Sequence, residues 1–152
     1  MPDLEQYPLL RVCSLLNDAG ALYLVVGGRA CILHGLIRTT QDVDILVSES
    51  EENYQRVIDG LAKMKDHYAA ELKPHDFADH GVVSIGDEVQ VDVSNRAWTV
   101  TYEEAIGTAL VTVIDGVRVP YVDLDTLIRS KQTYREKDHM DVMYLRGLKE
   151  RK

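Results

Sequence analysis

The feature that most constrains the fold is a strand pattern followed by a helix pattern, which occurs twice in the first half of the chain. Residues 22–26 form a short apolar run that is broken by Gly27-Gly28, and residues 29–36 are predicted to be a helix. Residues 42–47 are apolar and β-branched except for two aspartates, and a helix is predicted to begin at Ser48 and to end near Asp66. This alternation favours an α/β domain.

The second half of the chain predicts two hairpins and several helices. The first hairpin joins residues 81–85 to 88–93, and the second joins residues 110–114 to 117–122. Helix patterns cover residues 4–17, 102–105, 123–134 and 137–148. Because no linker or repeat divides the chain, we expect residues 1–152 to form one domain, with a mixed β-sheet, flanking helices and C-terminal helices.

Composition and length are those of an ordinary globular domain. The 152 residues are 45% hydrophobic, which is enough to build a core without disulfides or a structural metal. Neither a signal peptide nor a membrane-spanning stretch is visible, so we expect a cytoplasmic protein with no membrane partner. Cys13 and Cys31 lie in apolar helix patterns and are expected to be buried thiols.

The charge of the chain is unevenly distributed. A net charge of −8 argues against tight binding to phosphate backbones. Residues 129–152, however, hold eight basic and four acidic residues. This C-terminal segment is either the part that faces an anion or a solvated helix surface that balances its own acids, and the sequence leaves both possibilities open.

Three aspartates are predicted to meet on one face of the sheet. Alternate strand residues point to the same side, so Asp42 and Asp44 project together while Val43 and Ile45 face the core. Asp92 alternates in the same way with buried valines in its own strand. Three close carboxylates repel one another unless a cation neutralises them, and Mg²⁺ is the first choice because it prefers oxygen ligands.

The Gly27-Gly28 pair is a candidate site for phosphate. Glycine lets the backbone approach a phosphate, and the free N–H groups at a helix start point towards it. An isolated Gly-Gly pair after a strand is, on its own, more often a plain turn. Its combination with the aspartates is more specific than either feature alone.

Taken together, these residues resemble the minimal nucleotidyltransferases of the DNA polymerase β superfamily, especially the abortive-infection (AbiE-type) group. The motifs that carry the resemblance are Val26-Gly27-Gly28, Asp42-Val43-Asp44, Val91-Asp92-Val93, Arg38-Thr39-Thr40-Gln41, and Lys131 with Arg135, Lys137-Asp138 and Asp141. They span residues 25–145. One departure is that Gly28 stands where many members have a serine whose hydroxyl touches a phosphate.

The resemblance implies a nucleotidyltransferase fold and transfer of a nucleoside monophosphate from a nucleoside triphosphate, such as ATP, to an acceptor hydroxyl. It implies that Asp42, Asp44 and Asp92 are catalytic and bind two Mg²⁺ ions, with Asp92 activating the acceptor. Gly27 and Gly28 would contact the nucleotide. Lys131 and Arg38 are the candidates for neutralising phosphate charge, although a helix lysine paired with an acid and a structural arginine are the competing interpretations.

The sequence does not identify the acceptor, which can be RNA, a partner protein or a small hydroxylated molecule. The resemblance suggests the toxin or modifying partner of a toxin–antitoxin system. The alternative is a catalytically silent nucleotide-binding or partner-binding module. Three further features are interpreted structurally: His34 as a packed residue, residues 73–81 as a loop, and Trp98 as a packing residue that can also stack on a base.

Overall fold

A computed structural model describes residues 5–151, and its helices and strands alternate as the sequence patterns predict. In chain order, the elements are α1 (Tyr7–Ala19), β1 (Tyr23–Val26), α2 (Gly27–Leu33), β2 (Val43–Val47), α3 (Glu51–Leu61), α4 (Pro74–Asp79), β3 (Val82–Gly86), β4 (Gln90–Ser94), α5 (Tyr102–Ala105), β5 (Leu110–Ile114), β6 (Val117–Tyr121), α6 (Leu124–Ser130) and α7 (Glu136–Glu150). Short 3₁₀ turns occupy Tyr68–Glu71 and Ile106–Thr108.

The six strands form one mixed sheet in the order β3-β4-β2-β1-β6-β5. Strand β2 is parallel to β4, and β1 is parallel to β6, whereas the other neighbours are antiparallel. The parallel register of β2 and β4 sets Asp44 opposite Asp92. The antiparallel register of β1 and β2 sets Val26, the residue before the glycine pair, opposite Asp44.

One cluster of buried apolar side chains joins the sheet to its helices. Helix α1 packs against α3 and β6, α2 packs against β1 and β2, and α6 packs against α7. The helix pair α1 and α3 approaches closely at Gly60, where an added Cβ would lie 2.9 Å from the carbonyl oxygen of Leu15. The predicted α/β fold with C-terminal helices is therefore confirmed.

The predicted alternation in the strands is also confirmed. Val43, Ile45 and Val47 are buried in β2, and Val91 and Val93 are buried in β4. Both thiols, Cys13 and Cys31, are buried as expected. His34 is buried as well, and its Nε2 lies 2.8 Å from the carbonyl oxygen of Val122, so it packs as predicted.

The structure corrects several element boundaries that were predicted from the sequence. The segment 73–81, which was expected to be a loop, contains α4, because Pro74 suits a first helical position and Phe77 is buried against Tyr54, with ring centroids 5.5 Å apart. Helix α3 begins after Ser50, whose side chain accepts a hydrogen bond from the Asn53 amide, and not at Ser48.

Two predicted helices end early because the chain turns to bury a later side chain. Helix α3 stops at Leu61 and not near Asp66, and the following turn buries Met64. Helix α6 stops at Ser130 and not at residue 134, and the turn after it buries Lys131. Among residues 5–151, no helix is long and apolar enough to cross a membrane.

Candidate active site

A cleft with a volume of about 610 Å³ opens where the turn after β1, the strands β2 and β4, and the segment between α6 and α7 come together. Its lining includes all three predicted aspartates and both predicted glycines. The basic residues that line it are Arg96, Lys131, Arg135 and Lys137. The cleft therefore combines acidic groups on the sheet with basic groups on the opposing segments.

The centre of the cleft is the pair Asp44 and Asp92, which face each other across β2 and β4. Burial raises the pKa of Asp44 to about 6, and the charge of Asp92, a hydrogen bond to Asp92 and the charge of Asp42 act in the same direction. Lys131 opposes the rise without cancelling it. The free protein thus holds a carboxylate pair whose repulsion is incompletely compensated.

Asp42 lies at the rim of the cleft. It immediately precedes β2 and is exposed, whereas Asp44 is partly buried. The backbone beside it is fixed by the buried Arg29, whose Nε lies 3.4 Å from the carbonyl oxygen of Asp42 and whose Nη1 donates to the carbonyl oxygen of Glu5 at 2.7 Å. Asp42 therefore lines the cleft from its exposed rim, next to a backbone that Arg29 holds in place.

The glycine at position 27 is required by geometry. Its φ is +65°, in the left-handed region, and an added Cβ would lie 2.2 Å from Oδ2 of Asp44. At Gly28 an added Cβ would lie 3.2 Å from Oγ1 of Thr40, so this position is tight but less restrictive. Any other residue at position 27 would collide with the Asp44 carboxylate, so the glycine is what allows this carboxylate to lie against the start of α2.

The carboxylates do not yet form a complete metal site. Within residues 5–151, no three His, Cys, Asp or Glu side chains are clustered so that they could hold a metal ion. All three predicted aspartates nevertheless line the same cleft, in which Asp44 and Asp92 form the close pair and Asp42 lies at the rim. The donors suit a hard divalent cation, since all three are carboxylates and the repulsion between Asp44 and Asp92 is incompletely compensated.

Lys131 reaches the cleft, but its ammonium group is already paired. Its Nζ lies 2.9 Å from Oδ2 of Asp141 and 3.5 Å from Oδ1 of Asp138, and all three side chains are buried. The competing interpretation of Lys131 as a lysine paired with neighbouring acids therefore describes its contacts, although the pair is buried and not exposed.

Arg38 does not line this cleft. Its Nη1 donates to Oδ2 of Asp141 at 2.7 Å, the same oxygen that accepts from Lys131. The contact ties the segment before β2 to α7, which fits a structural arginine better than a phosphate-binding one. Of the two predicted phosphate cations, one is thus committed to an ion pair inside the cleft and the other lies outside it.

The other basic side chains of the cleft differ in whether they are already paired. Arg135 forms an ion pair with Asp138, in which its Nε lies 2.8 Å from Oδ2. Arg96 and Lys137, by contrast, are exposed, and neither forms an ion pair with another residue in the described part of the chain. Lys137 was visible in the C-terminal motif but had no assigned role, and Arg96 was missed because nothing in its local sequence marks it.

The aromatic residues Trp98 and Tyr134 complete the rim of the cleft. The sequence predicts Trp98 as a packing residue that can also stack on a base, whereas its periodicity assigns Tyr134 to the end of a helix and gives it no role. It lies in the segment between α6 and α7, with its side chain in solvent.

Comparison with solved structures identifies the fold. The chain is similar to an antigenic nucleotidyltransferase-like protein from Paracoccidioides brasiliensis, with a TM-score of 0.58, 17% identity, and coverage of 97% of this chain and 78% of that one. It is also similar to the lincosamide antibiotic adenylyltransferase LnuA in its lincomycin-bound form, with a TM-score of 0.55, 15% identity, and coverage of 94% and 97%. No protein-family model and no curated protein matches the sequence.

Proposed function

We propose that this protein is a Mg²⁺-dependent nucleotidyltransferase that moves a nucleoside monophosphate from a nucleoside triphosphate to an acceptor hydroxyl. The observation that carries the proposal is the contact between Gly27 and Asp44. A left-handed glycine allows a partly buried carboxylate to lie against the start of α2 and to face a second carboxylate, Asp92. The fold shared with nucleotidyltransferase structures supports the same assignment.

Each group has a role in this proposal. Asp44 and Asp92, with Asp42 turning inwards from the rim, would hold the metal. When bound, Mg²⁺ supplies positive charge that offsets the carboxylates and the phosphates. Asp92 accepts the proton of the acceptor hydroxyl, whose oxygen then attacks the α-phosphorus as the bond to the leaving pyrophosphate breaks.

The phosphate contacts are assigned to the turn and to the cations without ion pairs. The backbone N–H groups at Gly27 and Gly28 open α2 and can donate to phosphate oxygens. Arg96 and Lys137 provide positive charge, because Lys131 and Arg38 are held by Asp141. Lys131 then acts on the carboxylate pair through its charge, which lowers the pKa of Asp44, and not through direct contact with phosphate.

Among acceptors, a small hydroxylated molecule is the class we favour over RNA. The similarity to an adenylyltransferase solved with lincomycin supports a small acceptor, and a net charge of −8 disfavours a polyanion. A role as the toxin or modifying partner of a toxin–antitoxin system, which rests on the resemblance to the AbiE-type group, is tested by growth arrest on expression and its relief by the product of a neighbouring gene.

The test is pyrophosphate release from Mg²⁺ and each nucleoside triphosphate with a panel of hydroxylated acceptors. Asp44→Asn and Asp92→Asn should each lower the rate about a thousandfold or more, because each removes several kcal/mol of charge stabilisation. Asp59→Asn, an exposed aspartate on α3, is the matched control and should leave the rate unchanged. Equal rates in the parent and the Asp44 variant would refute the assignment.

The silent nucleotide-binding module is the second candidate, and the contacts of Lys131 favour it. Lys131 is the one predicted phosphate cation that lines the cleft, and its ammonium group is already paired with Asp138 and Asp141. Calorimetry separates the two functions: binding of a triphosphate and Mg²⁺ without pyrophosphate release for any acceptor in the panel would favour the silent module.

A further inference from the structure

Two aromatic side chains stand at the rim of the cleft and have no role in the mechanism so far. Trp98 follows β4, and Tyr134 lies between α6 and α7. Their ring centroids are 5.8 Å apart and their planes meet at 87°, an edge-to-face arrangement. Tyr134 is 92% exposed and Trp98 is 45% exposed, so burial in the core does not account for the pair.

The backbone at Trp98 adopts a conformation that is unusual for a tryptophan. Ala97 and Val100 exchange two backbone hydrogen bonds, of 2.8 Å and 3.0 Å, so Trp98 and Thr99 form a two-residue turn. Trp98 has a φ of +59°, a conformation that favours glycine and is costly for a bulky side chain. Such residues are concentrated at functional sites, and this one places an indole ring at the rim.

We propose that Trp98 and Tyr134 form a stacking site for a nucleobase. In an edge-to-face pair, one ring points its edge at the other ring, so both of its own flat faces stay uncovered by that ring. Every nucleobase has a flat face that can stack on such a tryptophan or tyrosine ring. The inference rests on the proposed function, because the phosphate contacts are assigned to the same cleft. The base belongs either to the donor triphosphate or to a nucleoside acceptor.

The chain contains a single tryptophan, so its fluorescence reports on the site directly. Three ligands are titrated with and without Mg²⁺: a nucleoside triphosphate, the corresponding free nucleoside, and inorganic tripolyphosphate. We expect quenching by a base-containing ligand and none by tripolyphosphate. If the triphosphate quenches the fluorescence only when Mg²⁺ is present, the site binds the base of the donor. If the free nucleoside quenches it without Mg²⁺, the site binds the base of the acceptor.

Variants at position 134 keep the tryptophan reporter. Tyr134→Ala should weaken binding of the quenching ligand by about five- to a hundredfold, the range for losing one base-stacking partner, while Tyr134→Phe should bind as the parent does. Tyr68→Ala removes another exposed tyrosine that does not line the cleft and should have no effect.

Three results would overturn the stacking site: no quenching by any of the ligands, equal quenching by tripolyphosphate, or unchanged affinity in Tyr134→Ala. They are distinct from failure of the proposed function. Pyrophosphate release without any change in fluorescence would remove the stacking site and leave the transferase. Quenching by a base without pyrophosphate release would retain the stacking site and remove the transferase.

Discussion

Replacing Asp44 by asparagine should make the metal-free protein more stable at neutral pH. The reason is that the folded chain places this carboxylate in a partly buried position beside Asp92. Asparagine has nearly the same shape but no charge, so the substitution removes repulsion without leaving a cavity. A gain in stability on removing a group is expected of a functional residue and not of a structural one.

The magnitude follows from the pKa of Asp44, which rises from 3.8 to about 6. Such a rise means that the ionised carboxylate is about 3 kcal/mol less favourable in the folded chain than in the unfolded one. Because the folded pKa is raised, stability is highest below the unfolded value and is lost as the pH rises towards and through the folded value. We expect Asp44→Asn to gain about 1–3 kcal/mol at pH 7.5, since the buried amide offsets part of the benefit.

The assay is urea unfolding in the presence of EDTA at about pH 7.5 and at about pH 4, where the gain should shrink to about 0.5 kcal/mol because the folded parent is protonated. Asp42→Asn is the matched control, since it removes an exposed carboxylate from the same cleft and should change stability by no more than about 0.5 kcal/mol. Millimolar Mg²⁺ should stabilise the parent and narrow the difference between it and Asp44→Asn.

Two results would refute this reasoning. If Asp44→Asn were less stable than the parent at pH 7.5, the carboxylate would be making favourable contacts that outweigh its repulsion. If the gain were the same at both pH values, it would not come from ionisation of this carboxyl group. In either case, the description of Asp44 and Asp92 as an uncompensated pair would be wrong.

The remaining predictions concern the turn and the network around it. Gly27→Ala should cost at least about 2 kcal/mol in urea unfolding, since its Cβ would collide with Asp44, whereas Gly20→Ala, with a φ of +72° and open space, should cost about 1 kcal/mol. Lys131→Met should cost about 1–3 kcal/mol in the same assay, because it removes the cation shared by two buried acids and leaves Asp141 with Arg38 and Asp138 with Arg135. Lower affinity of this variant for a triphosphate would not by itself show that Lys131 contacts phosphate. Burial raises the pKa of Asp138, but hydrogen bonds from Arg135 and Thr133 and the charge of Lys131 outweigh it, so the pKa is lowered overall. In the same assay, Asp138→Asn should therefore be most destabilising near pH 7 and less destabilising below about pH 4. Lys137→Ala should raise the dissociation constant for Mg²⁺ and triphosphate about tenfold in calorimetry, while Arg146→Ala, an exposed arginine on α7 outside the cleft, should not.

The placement of Asp44 and Asp92 could be predicted from the sequence because strand periodicity is local. Once residues 42–47 and 88–93 are taken as strands, the burial of Val43 and Val91 fixes the direction in which the aspartates point. Pairing of β2 with β4 then brings them opposite each other. The close approach of Gly27 to Asp44 was not predictable, since it depends on the left-handed backbone conformation of Gly27 at the junction of β1 and α2.

The roles of the basic residues could not be read from the sequence for a different reason. Lys131 and Lys137 have similar local settings, but the turn between α6 and α7 buries the first against Asp138 and Asp141 and exposes the second. Which lysine is paired depends on where α6 ends, and the periodic pattern extended that helix to residue 134. A predicted helix end that lies four residues too late therefore concealed the burial of Lys131 and the exposed position of Tyr134.

The buried ionic network explains how a short chain can keep exposed groups at fixed positions around the cleft. Asp141 accepts from both Arg38 and Lys131, so it joins the segment before β2, the end of α6 and the first half of α7. Asp138 and Asp141 are buried and each contacts two cations, so displacing any one of these side chains breaks a charged contact that is shielded from water, which makes the arrangement resistant to small displacements. The segment between α6 and α7, which carries Tyr134 and leads to Lys137, is held at both ends by this network. The network therefore fixes one side of the cleft, and we expect the exposed side chains beside it, Tyr134 and Lys137, to be the ones that contact a ligand.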